Sequence, residues 1–125
     1  MKNIILKLPK IVRWILSSFG LFNNILINDE EYMIRYEVAK HKYKLDKLAD
    51  DNISIIRQIA YNNNYCGNNL LNESTYIKIN LIEQGKFLDE FIGDSNYYIR
   101  KIVIKYCKNH PEKQECKKIL LLNNI

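Results

Sequence analysis

The chain has 125 residues, 47% hydrophobic and 26% charged, with a net charge of +5 at pH 7, the profile of an ordinary globular protein large enough for one core. No uninterrupted run approaches the ~18–20 apolar residues that span a bilayer, which argues against a transmembrane helix. Three cysteines, Cys66, Cys107 and Cys116, form no even-numbered disulfide framework, which fits a reducing cytoplasm.

The charge is layered along the chain. Residues 1–28 carry Lys2, Lys7, Lys10 and Arg13 and no acid; residues 29–100 hold nine bases against twelve acids; residues 101–125 hold six Lys against Glu112 and Glu115. Such a basic–acidic–basic order is either a solvated surface or a means of steering an acidic partner to the ends. The richness in Ile, Asn, Lys and Tyr is what AT-rich codons produce and points to a low-GC bacterium or its phage.

At the N-terminus, Pro9 suits the first turn of a helix, and Lys10 to Phe22 reads as a basic amphipathic helix carrying Trp14, Ile15, Leu21 and Phe22. Residues 1–23 are therefore expected to form a capping helix, with a membrane-surface helix as the alternative. A secretory leader is not expected. Lys7, Lys10 and Arg13 crowd the short apolar run, and Asn23-Asn24 rather than a small-residue cleavage site follows it.

Residues 24–110 repeat. KLDKLADDNISIIRQIAY at 44–61 matches KFLDEFIGDSNYYIRKIVI at 86–104 after a shift of 43, pairing Leu45 with Leu88, Asp51 with Asp94, and Ile56-Arg57 with Ile99-Arg100. A shift of 22 in the other direction finds Leu26, Asp29, Ile34-Arg35 and Val38-Ala39. The shared frame is L-x-x-D-x-x-x-x-I-R-x-x-x-(A/V), with a period of about 22. Each copy predicts a short helix, a turn at Asp, and a longer helix whose stripe (Ile53, Ile56, Ile59 and Ala60; Tyr98, Ile99, Ile102 and Tyr106) needs a stacked neighbour. A degenerate copy fills Leu70 to Leu81. There Lys78 replaces Arg and Asn72 or Glu73 replaces the turn Asp, so the pattern is expected to break. Pro111 to Leu122 reads as a closing helix within a C-terminal cap, 111–125.

The run Val38 to Asn64 resembles the leucine-rich-repeat-variant and HEAT-like families, whose repeats carry an inter-helix Asp and a Val/Ile-Arg pair. The resemblance implies an all-α, short right-handed superhelix with terminal capping helices. It also implies a hydrogen-bonded ladder of Asp29, Arg35, Asp51, Arg57, Asp94 and Arg100.

Chemistry-bearing constellations are sparse. Arg35, Arg57 and Arg100 share one register position and serve either that ladder or a row offered to phosphates. Cys107, His110 and Cys116 make C-x2-H-x5-C, and Cys66 is a conceivable fourth ligand. Structural zinc wants two tight ligand pairs and only one exists, so neither metal nor cofactor is expected. Gly20, Gly67, Gly85 and Gly93 are isolated, no serine sits in an elbow, and His41 with Asp46 lacks a nucleophile; no enzyme is expected. Nine tyrosines exceed the needs of one small core. Tyr32, Tyr36, Tyr61, Tyr65 and Tyr97 are the expected contact surface for another protein, in an adaptor, inhibitor or immunity-type role. Nucleic-acid binding is the alternative.

Overall fold

The computed structural model of the protein describes residues 2–124; Met1 and Ile125, the outermost residues of the expected caps, lie outside the described residues. The described chain is all-helical, without a strand. The α-helices are α1 (Lys2–Leu6), α2 (Lys10–Ser18), α3 (Asn23–Leu26), α4 (Tyr32–Lys40), α5 (Leu45–Leu48), α6 (Ser54–Asn62), α7 (Thr75–Glu83), α8 (Leu88–Phe91), α9 (Tyr97–Asn109) and α10 (Gln114–Leu122). A 3-10 turn at Leu70–Asn72 precedes α7.

Four of the long helices end by one device. Gly20, Lys42, Asn64 and Gly85 follow α2, α4, α6 and α7 with φ of 73°, 58°, 71° and 73°. In each case the next N–H reaches back five residues: Leu21 to the Leu16 carbonyl, Tyr43 to Val38, Tyr65 to Ala60, and Lys86 to Leu81. This is the left-handed closure that satisfies the last carbonyls of a helix. A second left-handed residue, Phe22, Lys44 or Phe87, then turns the chain directly into α3, α5 or α8. At Gly85 a side chain would also run into the Tyr106 hydroxyl.

The turn between short and long helix is set by Asp. Asp29, Asp51 and Asp94 accept the N–H two residues on (Glu31, Ile53 and Asn96, at 3.0, 3.0 and 2.8 Å), the local bond that makes Asp a turn former. The long helix begins directly after that residue, so the Asp stands two positions ahead of the capping residue itself.

The chain divides into two compact units, Met1–Gly67 and Asn68–Ile125, where the sequence alone suggests one domain. In the first unit α2 packs on α4, α4 on α6, α5 on α6, and α1 on α3. Its core is Ile25, Leu26, Ile34, Val38, Leu45, Leu48, Ile56 and Ala60, with Ile5 from α1. Each fully buried Ile or Leu contributes about 1.5–3 kcal/mol. In the second unit α7 packs on α9, and α8 and α10 both pack on α9 and on each other. Leu81, Ile82, Leu88, Phe91, Ile99, Val103 and Ile119 are its main buried apolar side chains.

Two expected helices differ. The segment 1–23 holds two helices broken at Pro9, and the second stops at Ser18 because Gly20 turns left-handed. The closing helix begins at Gln114; Pro111 lies in the turn before it.

Candidate protein-binding surface

Three cations of the repeat register, Arg13, Arg35 and Lys78, face inward and meet acids sixteen residues later. Arg35 donates from Nε to Asp51 Oδ2 at 2.8 Å and from Nη2 to Asp51 Oδ1 at 3.1 Å, while Nη1 holds the Asp29 and Glu30 carbonyls at 2.8 and 3.2 Å. Arg13 repeats the pattern one period earlier, with Nε to Asp29 Oδ2 at 2.8 Å and Nη1 on the Leu8 carbonyl at 2.6 Å. Arg57 donates to the Asp51 carbonyl at 2.8 Å. In the second unit Lys78 donates to Asp94 Oδ2 at 2.7 Å, and both side chains are buried. The break expected over Thr75–Asn80 is therefore absent at Lys78. Its long stem delivers a point charge to the place that a guanidinium fills elsewhere. Arg13, assigned to the cap on sequence grounds, belongs to the same register.

These contacts perturb the charges involved. The Asp51 hydrogen bond holds the Arg35 guanidinium above its ordinary value against the opposing effect of burial. Burial pushes the Asp94 carboxyl up, but hydrogen bonds from Lys78 and the Asn96 N–H and the charges of Lys78 and Arg100 outweigh it, leaving Asp94 below the usual carboxylate range.

Tying the cation inward fixes the rotation of the helix that carries it about its axis. In α2, Arg13, Leu16 and Ser17 face inward, so Ile11, Val12, Trp14 and Ile15 face solvent. The helix is amphipathic with its apolar side outward. Two positions before each register cation stands an apolar or aromatic side chain, and all five are exposed: Ile11 (62%), Met33 (43%), Ile55 (47%), Tyr76 (76%) and Tyr98 (69%). In the first unit this position places Ile11, Met33 and Ile55 on α2, α4 and α6, which pack in that order. A groove of about 300 Å³ opens between α2 and α4, lined by Lys10, Ile11, Trp14, Glu31, Met33 and Ile34. The Lys10–Glu31 ion pair, at 3.6 Å, lies on its edge. In the second unit Tyr76 and Tyr98 occupy the same position on α7 and α9, and Tyr97 packs edge-on against Tyr98.

The tyrosines singled out in the sequence divide. Tyr32, Tyr65 and Tyr97 are exposed, and Tyr36 is half-buried against the core of the first unit. Tyr61 is wholly buried and cannot belong to a contact surface. It lies four residues after Arg57 in α6, on the inward side beside Ala60. The exposed row itself was legible only as the residue two places before Arg or Lys in each copy, a signal hidden because its members change from aliphatic to aromatic.

Of the cysteine and histidine positions, Cys107 and Cys116 meet in the second unit. Among the described residues no group of three His, Cys, Asp or Glu is placed to hold a metal ion. Cys66 is exposed in the first unit, whereas Cys107 and Cys116 are buried in the second. Burial, with the contact to Cys116, pushes the Cys107 thiol up to about 12. His110 stacks on Tyr106 and bonds its backbone carbonyl at 2.9 Å. None of the described helices is long and apolar enough to cross a membrane. Compared with models of known families, with curated proteins and with solved structures, the chain matches none.

Proposed function

We propose that the protein is a non-catalytic, solenoid-type helical-repeat module that binds another protein through the exposed row of its long helices. The observation that carries this reading is the register: one position, five copies, each apolar or aromatic and each exposed. Scattered surface hydrophobes need no explanation, but a periodic set beside an apolar groove marks an interaction site. Trp14, Met33 and the tyrosines are residue types favoured at such contacts. The phosphate-binding alternative has less support, because Arg13, Arg35 and Lys78 already hold carboxylates.

The test is capture by the tagged protein from a lysate of cells that encode it, with and without nuclease, beside a variant carrying Ile11→Ser, Met33→Ser and Ile55→Ser. All three side chains are exposed, so the variant keeps its fold. The expected result is a stoichiometric, nuclease-resistant protein whose recovery falls roughly 30-fold or more in the variant, as loss of contacts worth about 2 kcal/mol or more requires. Equal recovery by both forms, or a set of molecules released by nuclease, overturns it.

A further inference from the structure

The last cation of the register has no acid sixteen residues after it. Arg100 stands in α9 as Arg35 stands in α4. Its Nη1 holds the Asp94 and Ser95 carbonyls at 2.7 and 3.1 Å, against 2.8 and 3.2 Å for Arg35 on Asp29 and Glu30. The guanidinium is thus locked by the same two anchors. In Arg35 this leaves the Nε–Nη2 edge to receive both oxygens of Asp51. Sixteen residues after Arg100 stands Cys116, buried inside α10 rather than an Asp at a turn. Among the described residues Arg100 donates from Nη1 to carbonyls and to no carboxylate, although its charge is felt by Asp94.

Arg100 lines a cavity of about 240 Å³ together with Ile92, Tyr97, Lys101, Ile104 and Asn123. The Tyr97 ring lies beneath both cations, 5.7 Å from the Arg100 guanidinium carbon and 5.4 Å from Lys101 Nζ. The ring steadies the two charges without neutralising them. A planar donor fork, fixed in advance and flanked by a second cation, suits a planar, two-oxygen acceptor.

We propose that Arg100, with Lys101 and Tyr97, binds an aspartate or glutamate side chain of a partner protein, which supplies from outside the carboxylate that Asp51 supplies to Arg35. The proposal rests on the protein-binding reading for the source of that carboxylate; the site itself stands on this geometry.

Two measurements separate the two. In the first, the Arg Nε–H resonances of the isolated protein are followed by NMR while sodium acetate is added against sodium chloride of equal ionic strength. The Arg100 signal is expected to shift saturably with acetate, and the Arg35 signal, already occupied, is expected to stay. Arg100→Lys, which keeps the charge and loses the fork, removes the saturable shift at this site, followed through Lys101. Equal movement of Arg100 and Arg35, a response to chloride alone, or tighter binding of inorganic phosphate overturns the carboxylate assignment, and none of these touches the exposed row. In the second, Arg100→Lys is used in the capture experiment. Recovery of the partner is expected to fall roughly 10-fold; unchanged recovery beside a positive acetate titration overturns the partner as the source.

Discussion

In the N-terminal unit a guanidinium does two things at once, whereas in the C-terminal unit those tasks are divided between two residues. Arg35 grips two backbone carbonyls with Nη1 and a carboxylate with its other edge. Among the described residues of the second unit, Lys78 donates to the Asp94 carboxylate, while Arg100 donates to the carbonyls. The difference separates what the register position needs from what arginine adds. A cation beside the turn carboxylate is the shared element; the carbonyl grip pins the start of the long helix to its own turn. Asp94 Oδ1 accepts the Asn96 N–H just as Asp51 Oδ1 accepts the Ile53 N–H, and Lys78 meets Oδ2 alone.

Breaking the pairs exposes this division most strongly. Arg35→Met strands Asp51, Lys78→Met strands Asp94, and each is expected to cost about 3–5 kcal/mol in urea unfolding, the usual effect of removing one member of a buried pair. The neutral doubles should then part company. Lys78→Met with Asp94→Asn leaves no charge and keeps an acceptor for the Asn96 N–H, so most of the loss returns. Arg35→Met with Asp51→Asn still leaves the Asp29 and Glu30 carbonyls without their donor, and recovers less by about 1–2 kcal/mol. Equal recovery in both units would show that the carbonyl grip contributes nothing.

These particulars also show how far the sequence could be read. The frame located α3–α4, α5–α6 and α8–α9, because Leu, Asp and Ile-Arg at fixed spacing carry the turn and the stripe in the residues themselves. It missed Arg13 because the first copy lacks the preceding Leu and Asp, and so resembles a free amphipathic helix. It expected a break at Lys78 because a one-letter match weighs Arg and Lys as different, while the buried carboxylate asks only for a positive charge. It counted Tyr61 among surface tyrosines because composition says nothing about the rotation of a helix. That rotation is set by the inward cation, and the exposed row follows from it.

Acid sharpens the comparison for the lysine pair. With its folded value below the ordinary carboxylate value of about 3.9, Asp94 is protonated later in the folded protein than in the unfolded chain. The unfolded state therefore takes up the proton first as pH falls. The stability that Asp94 contributes is complete above the unfolded value and disappears as pH drops through the folded one. Asp94→Asn should be less stable than the parent by about 1–3 kcal/mol at pH 7, and the gap should close only as pH falls below the ordinary carboxylate value. A gap that stays constant with pH would assign the loss to packing rather than to the charge.

The smallest expected effect compares the two ways of ending a long helix. Gly85 closes α7 at φ 73°, and Lys42 closes α4 at φ 58° with the same pair of backbone bonds. A side chain in the left-handed region costs roughly 1 kcal/mol, and glycine at such a position is under no such cost although its unfolded chain is freer. Lys42 is exposed, so nothing in its side chain offsets that strain. Lys42→Gly is expected to raise stability by about 0.5–1 kcal/mol in urea unfolding, the net of relieved strain and added unfolded-state freedom. A loss of stability would mean that the Lys42 stem packs on the first unit in solution, and that its left-handed turn is held by side-chain contacts instead of by the Tyr43-to-Val38 and Lys42-to-Ala39 bonds alone.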